Sequence, residues 1–146
     1  MNETVTITRS QGGMFAPGVI QYCFTYVNKY GQQSNVVWAS TLYYLSHLDR
    51  GASPEDKVSN SFNIQIKDID TNFDYLRLYS VQRTSLDDVA YVKLLEDIPT
   101  SKAQIIDGHY ILTYLDAGNT GAVIDPDELI YVGGKEIAAL TMTVKD

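Results

Sequence analysis

The sequence predicts an all-β protein: an antiparallel β-sandwich or barrel built from seven or more short strands. Three observations predict it. Apolar and polar residues alternate with period two in run after run, turn residues separate those runs at regular spacing, and no long amphipathic helix interrupts them. Composition agrees. Eleven tyrosines stand beside four phenylalanines and one tryptophan, and Tyr suits a pleated, half-buried surface with its hydroxyl at the rim. At 146 residues, 45% apolar and 20% charged, the chain has the size and makeup of one globular domain.

Residues 3–9 alternate β-branched and polar side chains as a first strand, which Gly12-Gly13 is expected to break; Pro17-Gly18 then turns the chain. Residues 19–28 form a long strand with Ile20, Tyr22, Phe24 and Tyr26 on one face and Val19, Gln21, Cys23, Thr25 and Val27 on the other. The turn Asn28-Lys29-Tyr30-Gly31 reverses it, and residues 34–45 read as the returning strand, although Leu42, Leu45 and Leu48 also fit a short helical stripe. Residues 49–61 read as loop. Within it, Ser53 before Pro54, Glu55 and Asp56 has the chemistry of a single helical turn: a capping hydroxyl, Pro at the first position and early acids.

Residues 62–67 place Phe62, Ile64 and Ile66 inward against Asn63, Gln65 and Lys67 outward. Residues 75–83 alternate again. A stretch at 89–95 follows the Ser85–Asp88 turn and ends at Ile98-Pro99, and strands at 103–106 and 110–115 flank the turn Asp107-Gly108. Ala117–Gly121 is a connector, followed by a Pro126 turn, the short segment Glu128–Val132, Gly133-Gly134 and an alternating run from Leu140 to Lys145. Residues 1–116 are thus expected to be the sandwich. Residues 117–146 are a connector and strand that either lead toward a neighbouring domain or complete the same sandwich.

Charge narrows the function. Eighteen acids against eleven Lys and Arg give a formal net charge of -7, which disfavours phosphate backbones and anionic membranes because both need a basic face. No stretch approaches the roughly 18 apolar residues of a membrane span, and residues 1–18 lack the apolar region of a signal peptide. The sequon Asn2-Glu3-Thr4 has no secretory context. With Cys23 as the one cysteine, no intrachain disulfide forms and no cysteine-based zinc site is available.

The search for chemistry yields no catalytic, cofactor-binding or metal-ligating residue. Asp68, Asp70, Asn72 and Asp74 alternate like the start of a calcium loop. Phe73, however, stands where the turn glycine belongs and Tyr79 where the bidentate Glu belongs, so the run reads as a polar turn, with calcium left open. Cys23 lies mid-strand, where a buried, inert thiol is expected. His47 and His109 have no supporting triad, and no G-x-S-x-G elbow exists. Asp87-Asp88 and Asp125 with Asp127-Glu128 read as solvated loop carboxylates rather than a glycosidase pair. Gly12-Gly13 and Gly133-Gly134 lack the lysine and setting of a phosphate loop. Tyr30, Trp38, Tyr43 and Tyr44 suggest a sugar-stacking platform or, equally, core and protein interface.

Two stretches carry a resemblance. Ile20-x-Tyr22-x-Phe24-x-Tyr26-Val27-Asn28-x-x-Gly31, with Ser34 beyond it, resembles the strand-turn-strand signature of fibronectin type III modules within the immunoglobulin-like sandwiches. Gly31 supplies the positive φ of that turn, and Asn28 bonds its backbone. The signature here opens the domain instead of closing it. That order, with Tyr75–Arg83, Tyr91–Ile98, Tyr114–Gly121 and Asp125–Tyr131, is similar to the fibronectin-like domains of bacteriophage tail and connector proteins. In particular it resembles the large tail muzzle or stabilisation proteins of crAss-like phages of gut Bacteroides, over residues 18–146.

The resemblance implies a non-enzymatic structural module without cofactor, located in the virion tail and produced in the bacterial host cytoplasm. Its implied partners are neighbouring virion proteins and copies of itself in a ring-like homo-oligomer, with no membrane and no direct nucleic acid contact. Loop 49–61 and tail 117–146 are the expected docking segments. The abrupt strand-like start and finish suggest a piece of a larger assembly protein, with Met1 as an added start or the start of a short reading frame. The competing expectation is a carbohydrate- or cell-surface-binding adhesin module resting on the four aromatics named above.

Overall fold

A computed structural model describes residues 3–45, 58–84 and 89–141. Among these residues ten strands form two antiparallel sheets, as expected of a β-sandwich. Strands β1 (Thr4–Phe15), β5 (Val58–Lys67), β9 (His109–Asp116) and β8 (Gln104–Ile106) make the first sheet, in the order β1-β5-β9-β8. The second runs β10 (Ala122–Ile124), β7 (Tyr91–Pro99), β6 (Tyr75–Arg83), β2 (Val19–Val27) and β3 (Trp38–Ala39), with β4 (Tyr43–Tyr44) also on β2.

Period-two alternation builds the core between the sheets. Ile20, Tyr22, Phe24 and Tyr26 of β2 and Leu76 and Leu78 of β6 meet Phe15, Phe62, Ile64, Ile66 and Leu112 of the first sheet, all buried. Tyr22 meets Phe62 edge-to-face across the layers at 5.8 Å, and Phe15 packs edge-on against Phe62 within the first sheet at 5.7 Å. The inward set predicted for residues 62–67 is borne out.

All nine residues of β2 are buried, not only its aromatic face. The second sheet is covered on its outer side too, where Cys23, Tyr79, Val81 and Val92 form a second cluster with Val36, Leu129, Ile137 and Ala139. The tail that supplies the last three residues contains two short helices, α1 (Pro126–Ile130) and α2 (Ala138–Thr141). The strand-like reading of the run from Leu140 is therefore corrected over the described residues, and the short segment from Glu128 is part of α1. Asp125 caps α1 through its carboxylate, which accepts from Asp127 N–H, and Pro126 stands in the first turn.

A bulge decides which cluster each residue of β7 joins. Leu78 pairs with Glu96 but Tyr79 with Leu94, so Leu95 is extra. An extra residue reverses the alternation. Val92 accordingly faces the outer cluster, while Leu95 and Ile98 face the inner one.

Strand boundaries differ from the sequence expectation most at β1 and β5. Gly12-Gly13 does not end β1; the strand runs on to Phe15 through an irregular register between Gln11 and Phe15. Gly13 lies so close to the Asn60 carbonyl that a Cβ would overlap it. Residues 58–61 belong to β5 rather than to the preceding loop.

The returning strand 34–45 is reduced to two two-residue pieces, because serine side chains replace backbone in the ladder. Ser34 Oγ accepts from Tyr26 N–H and Ser40 Oγ from Tyr22 N–H, each at 2.9 Å. Among the described residues this segment contains no helix. The proposed helical turn at Ser53, residue Leu48 of the stripe and the Ser85–Asp88 turn fall outside the described residues.

Candidate interaction surfaces

The turn after β2 forms as its residues demand. Asn28 Oδ1 accepts from the N–H groups of Tyr30 and Gln32, and Gly31 takes φ +81°. At the other short turn, Asp107 (φ 51°) and Gly108 (φ 80°) are both left-handed, the conformation a two-residue hairpin of this twist requires.

The candidate groups lie apart. Asp68 Oδ1 is 2.7 Å from His109 Nδ1, whereas Asp70 accepts from Asn72 N–H within its own turn. Among the described residues no three His, Cys, Asp or Glu side chains converge as a metal site would need. His47 and Asp87-Asp88 fall outside the described residues. Asp127 and Glu128 occupy the first turn of α1, where acids complement the helix dipole. Cys23 is fully buried, and burial pushes its thiol up to about 12.

The four aromatics do not form one platform. Trp38 stacks on Phe24 at 5.9 Å, and Tyr43 tilts against Phe62 at 5.6 Å, so both serve the core. Tyr30, 76% exposed, sits beyond one end of β2; Tyr44, 57% exposed, pairs with Val19 at the other. Eight strand steps separate those ends, roughly 25 Å.

Sequence reasoning missed a buried polar centre between the sheets. Asp116 is 1% exposed; its Oδ2 accepts from Tyr22 Oη–H at 2.7 Å and its Oδ1 from Gly118 N–H at 3.0 Å. Burial raises its carboxyl above the ordinary range, partly opposed by those two donors and by the Lys93 ammonium. Tyr22 is raised well above a free phenol, first by burial and then by the neighbouring carboxylate. The available signal was that Asp116 falls in the same alternation as Leu112 and Tyr114, which assigns it to the inner face.

Other buried polar groups fasten elements together. Gln21 donates to the Ser40 carbonyl and accepts from Ala139 N–H, and Arg83 donates to the carbonyls of Ala139 and Leu140. Tyr26 Oη–H donates to Glu3 while its oxygen accepts from Asp70 N–H, and burial raises its pKa. Arg77 grips Asp97 through two bonds of 2.7 and 2.9 Å, and that contact holds the guanidinium above its usual value. These pairs brace strands, and among the described residues none of them sets up an activated nucleophile or acid-base couple.

An open groove of about 470 Å³ lies at the seam of the sheets, lined in part by Met14, Phe15, Gln82, Tyr91 and Lys93. Lys93 donates to the Gly118 carbonyl and stands 5.8 Å over the Tyr91 ring. The remaining surface of note is β1, the twelve-residue outer strand of the first sheet.

A family described as crassvirus muzzle protein matches residues 1–146. The chain belongs to that family. The muzzle protein of Bacteroides phage crAss001 is 46% identical to it over 146 residues, which are 99% of this chain and 10% of that relative. The chain thus spans about a tenth of the length of the curated muzzle protein it matches. The resemblance to the muzzle proteins of crAss-like phages is borne out, and the chain's fold is the all-β sandwich described above. No helix among the described residues is long and apolar enough to cross a membrane.

Proposed function

We propose that this muzzle-family chain is a non-catalytic structural module of the phage tail, which docks on neighbouring virion proteins and on copies of itself. It is assembled in the host cytoplasm and acts in the particle. Residues 117–141 complete the sandwich, a reading supported by the seating of β10 on β7 and by the Gln21 and Arg83 bonds to the tail. In a ring-like assembly the module would serve as a rigid spacer whose edges and loops make the contacts.

One observation carries the reading. The buried polar side chains Tyr22, Tyr26, Asp116 and Gln21 are each spent on protein partners, whereas a long strand is left at the rim of the first sheet. Interior chemistry is thereby committed to rigidity, and backbone polarity at an edge is the resource for docking.

Cross-linking mass spectrometry on purified particles tests this. Amine-reactive links from Lys29, Lys67, Lys102 or Lys135 to other virion chains are expected. Absence of the segment from the particle, or links confined to the segment itself, would overturn the proposal.

A further inference from the structure

We infer that β1 is a self-complementary edge, which pairs antiparallel with β1 of a second copy around a twofold axis at Thr6. This deepens the docking role proposed above by naming one surface and its partner.

The four edges of the two sheets are unequal. β8 and β10 have three residues each, and β3 and β4, which share an edge, have two each. β1 has twelve, and only its β5 side is laddered over residues 4–11. Outside that ladder, among the described residues, its backbone bonds lie beyond Ser10: the Gln11 carbonyl accepts from Ser61 Oγ–H, and Met14 N–H donates to the Ala117 carbonyl. Natural edge strands are protected by Pro, by charges, by bulges or by brevity. The stretch Thr4–Thr8 has none of these: it is Thr-Val-Thr-Ile-Thr, and the irregular register lies beyond Gln11.

The partner follows from the charges that flank this stretch. Glu3 and Arg9 lie three residues either side of Thr6. When two copies pair antiparallel with Thr6 opposite Thr6, Glu3 of each faces Arg9 of the other, Val5 faces Ile7, and Thr4 faces Thr8. Directly opposite residues share a face. Val5 and Ile7 are half-buried against the core, and Thr4, Thr6 and Thr8 are exposed on the outer face. The pairing therefore extends the apolar inner layer across the axis and keeps threonines outside.

The charged ends suit it as well. Glu3 spends one oxygen on Tyr26 at 2.7 Å and keeps the other, while exposed Arg9 lies 5.2 Å over the Phe62 ring. Copies carrying a net charge of -7 repel one another, but the paired edge is neutral. A twofold contact closes at two copies, so any ring contacts use other surfaces.

Sedimentation equilibrium of the 146-residue chain over a concentration series reads the pairing. A reversible dimer is expected. Thr6→Lys opposes two ammonium groups at the axis and should weaken dimerisation by about fivefold, with circular dichroism unchanged because Thr6 is exposed. Arg9→Glu should also weaken it, and Glu3→Arg combined with Arg9→Glu should restore it.

Oxidation reads the register. Thr6→Cys should cross-link readily at a Cβ separation of about 5 Å, whereas Ser10→Cys, roughly 25 Å from its counterpart, should not; native Cys23 is buried. A monomer at every concentration, a dimer indifferent to Thr6→Lys, or equal cross-linking at both positions overturns the inference. None of these bears on docking to other virion chains, which the particle cross-links read separately.

Discussion

Asp116 allows a sharp test of the packing, because two substitutions at this one site should differ widely in cost. Asp116→Ala leaves the Tyr22 hydroxyl and the Gly118 N–H without an acceptor in a site that is 1% exposed. Each orphaned group costs about 1–3 kcal/mol, and relief of a buried carboxylate offsets part of the sum, for a net loss of about 3 kcal/mol. For a chain of this size that lowers the thermal midpoint by roughly 9 °C.

Asp116→Asn keeps both contacts. Its oxygen accepts from Gly118, and its amide donates to a Tyr22 hydroxyl that turns to accept, so the change at pH 7 should stay within about 1 kcal/mol of wild type. The pH dependence gives a second reading, of wild type against either variant. Burial raises the Asp116 carboxyl in the folded state, so the folded chain binds this proton more readily than the unfolded one. Stability from this group is therefore fullest below the unfolded carboxyl range and is lost as pH rises through the folded value. Wild type should gain on Asp116→Asn as pH falls from 7 toward 4. Urea unfolding at both pH values measures it. A loss for Asn equal to that for Ala, or a difference that grows in the opposite direction, would refute the reasoning.

The remaining predictions concern the edge, a close approach and the thiol. Ser34→Ala and Ser40→Ala each remove an acceptor from a β2 N–H and should cost about 1 kcal/mol, with faster amide exchange at Tyr26 and Tyr22 respectively. Gly13→Ala forces a methyl into the Asn60 carbonyl and should lower stability by more than 2 kcal/mol (an order-of-magnitude figure for overpacking). Gly31→Ala meets open space at φ +81° and should cost only about 1 kcal/mol; chemical denaturation ranks the two. Cys23, raised to about 12 by burial, should resist a thiol reagent at pH 8 until denaturant unfolds the chain. As pH climbs above 9 the unfolded thiol ionises first, so stability from this group falls between about 9 and about 12.

Most of the sandwich was legible because its signal is local. The alternation of Phe62, Ile64 and Ile66, the aromatic face of β2 and the Asp107-Gly108 hairpin each follow from side-chain period or turn stereochemistry alone. What stayed hidden depends on distant partners. That the second face of β2 is buried required the tail to fold back onto Cys23 and Gln21, a separation of more than a hundred residues. The fragmentation of the returning strand turned on two serine hydroxyls that compete with backbone for β2 donors. The Leu95 bulge and the Tyr22–Asp116 bond likewise arise from register between strands, which no period within one strand encodes. The edge of β1 is intermediate: its alternating sequence was plain, but its place at the rim needed the sheet order.

Amide hydrogen exchange compared between the free chain and the assembled tail tests the docking account most directly. The β2 amides should be slow in both, since the strand is flanked on both sides and buried on both faces, whereas the amides of Thr4–Ser10 that point away from β5 should exchange quickly in the dilute chain and slow markedly on assembly. Equal exchange of Thr4–Ser10 in the two states would mean that this edge meets no partner in the particle and would contradict the account.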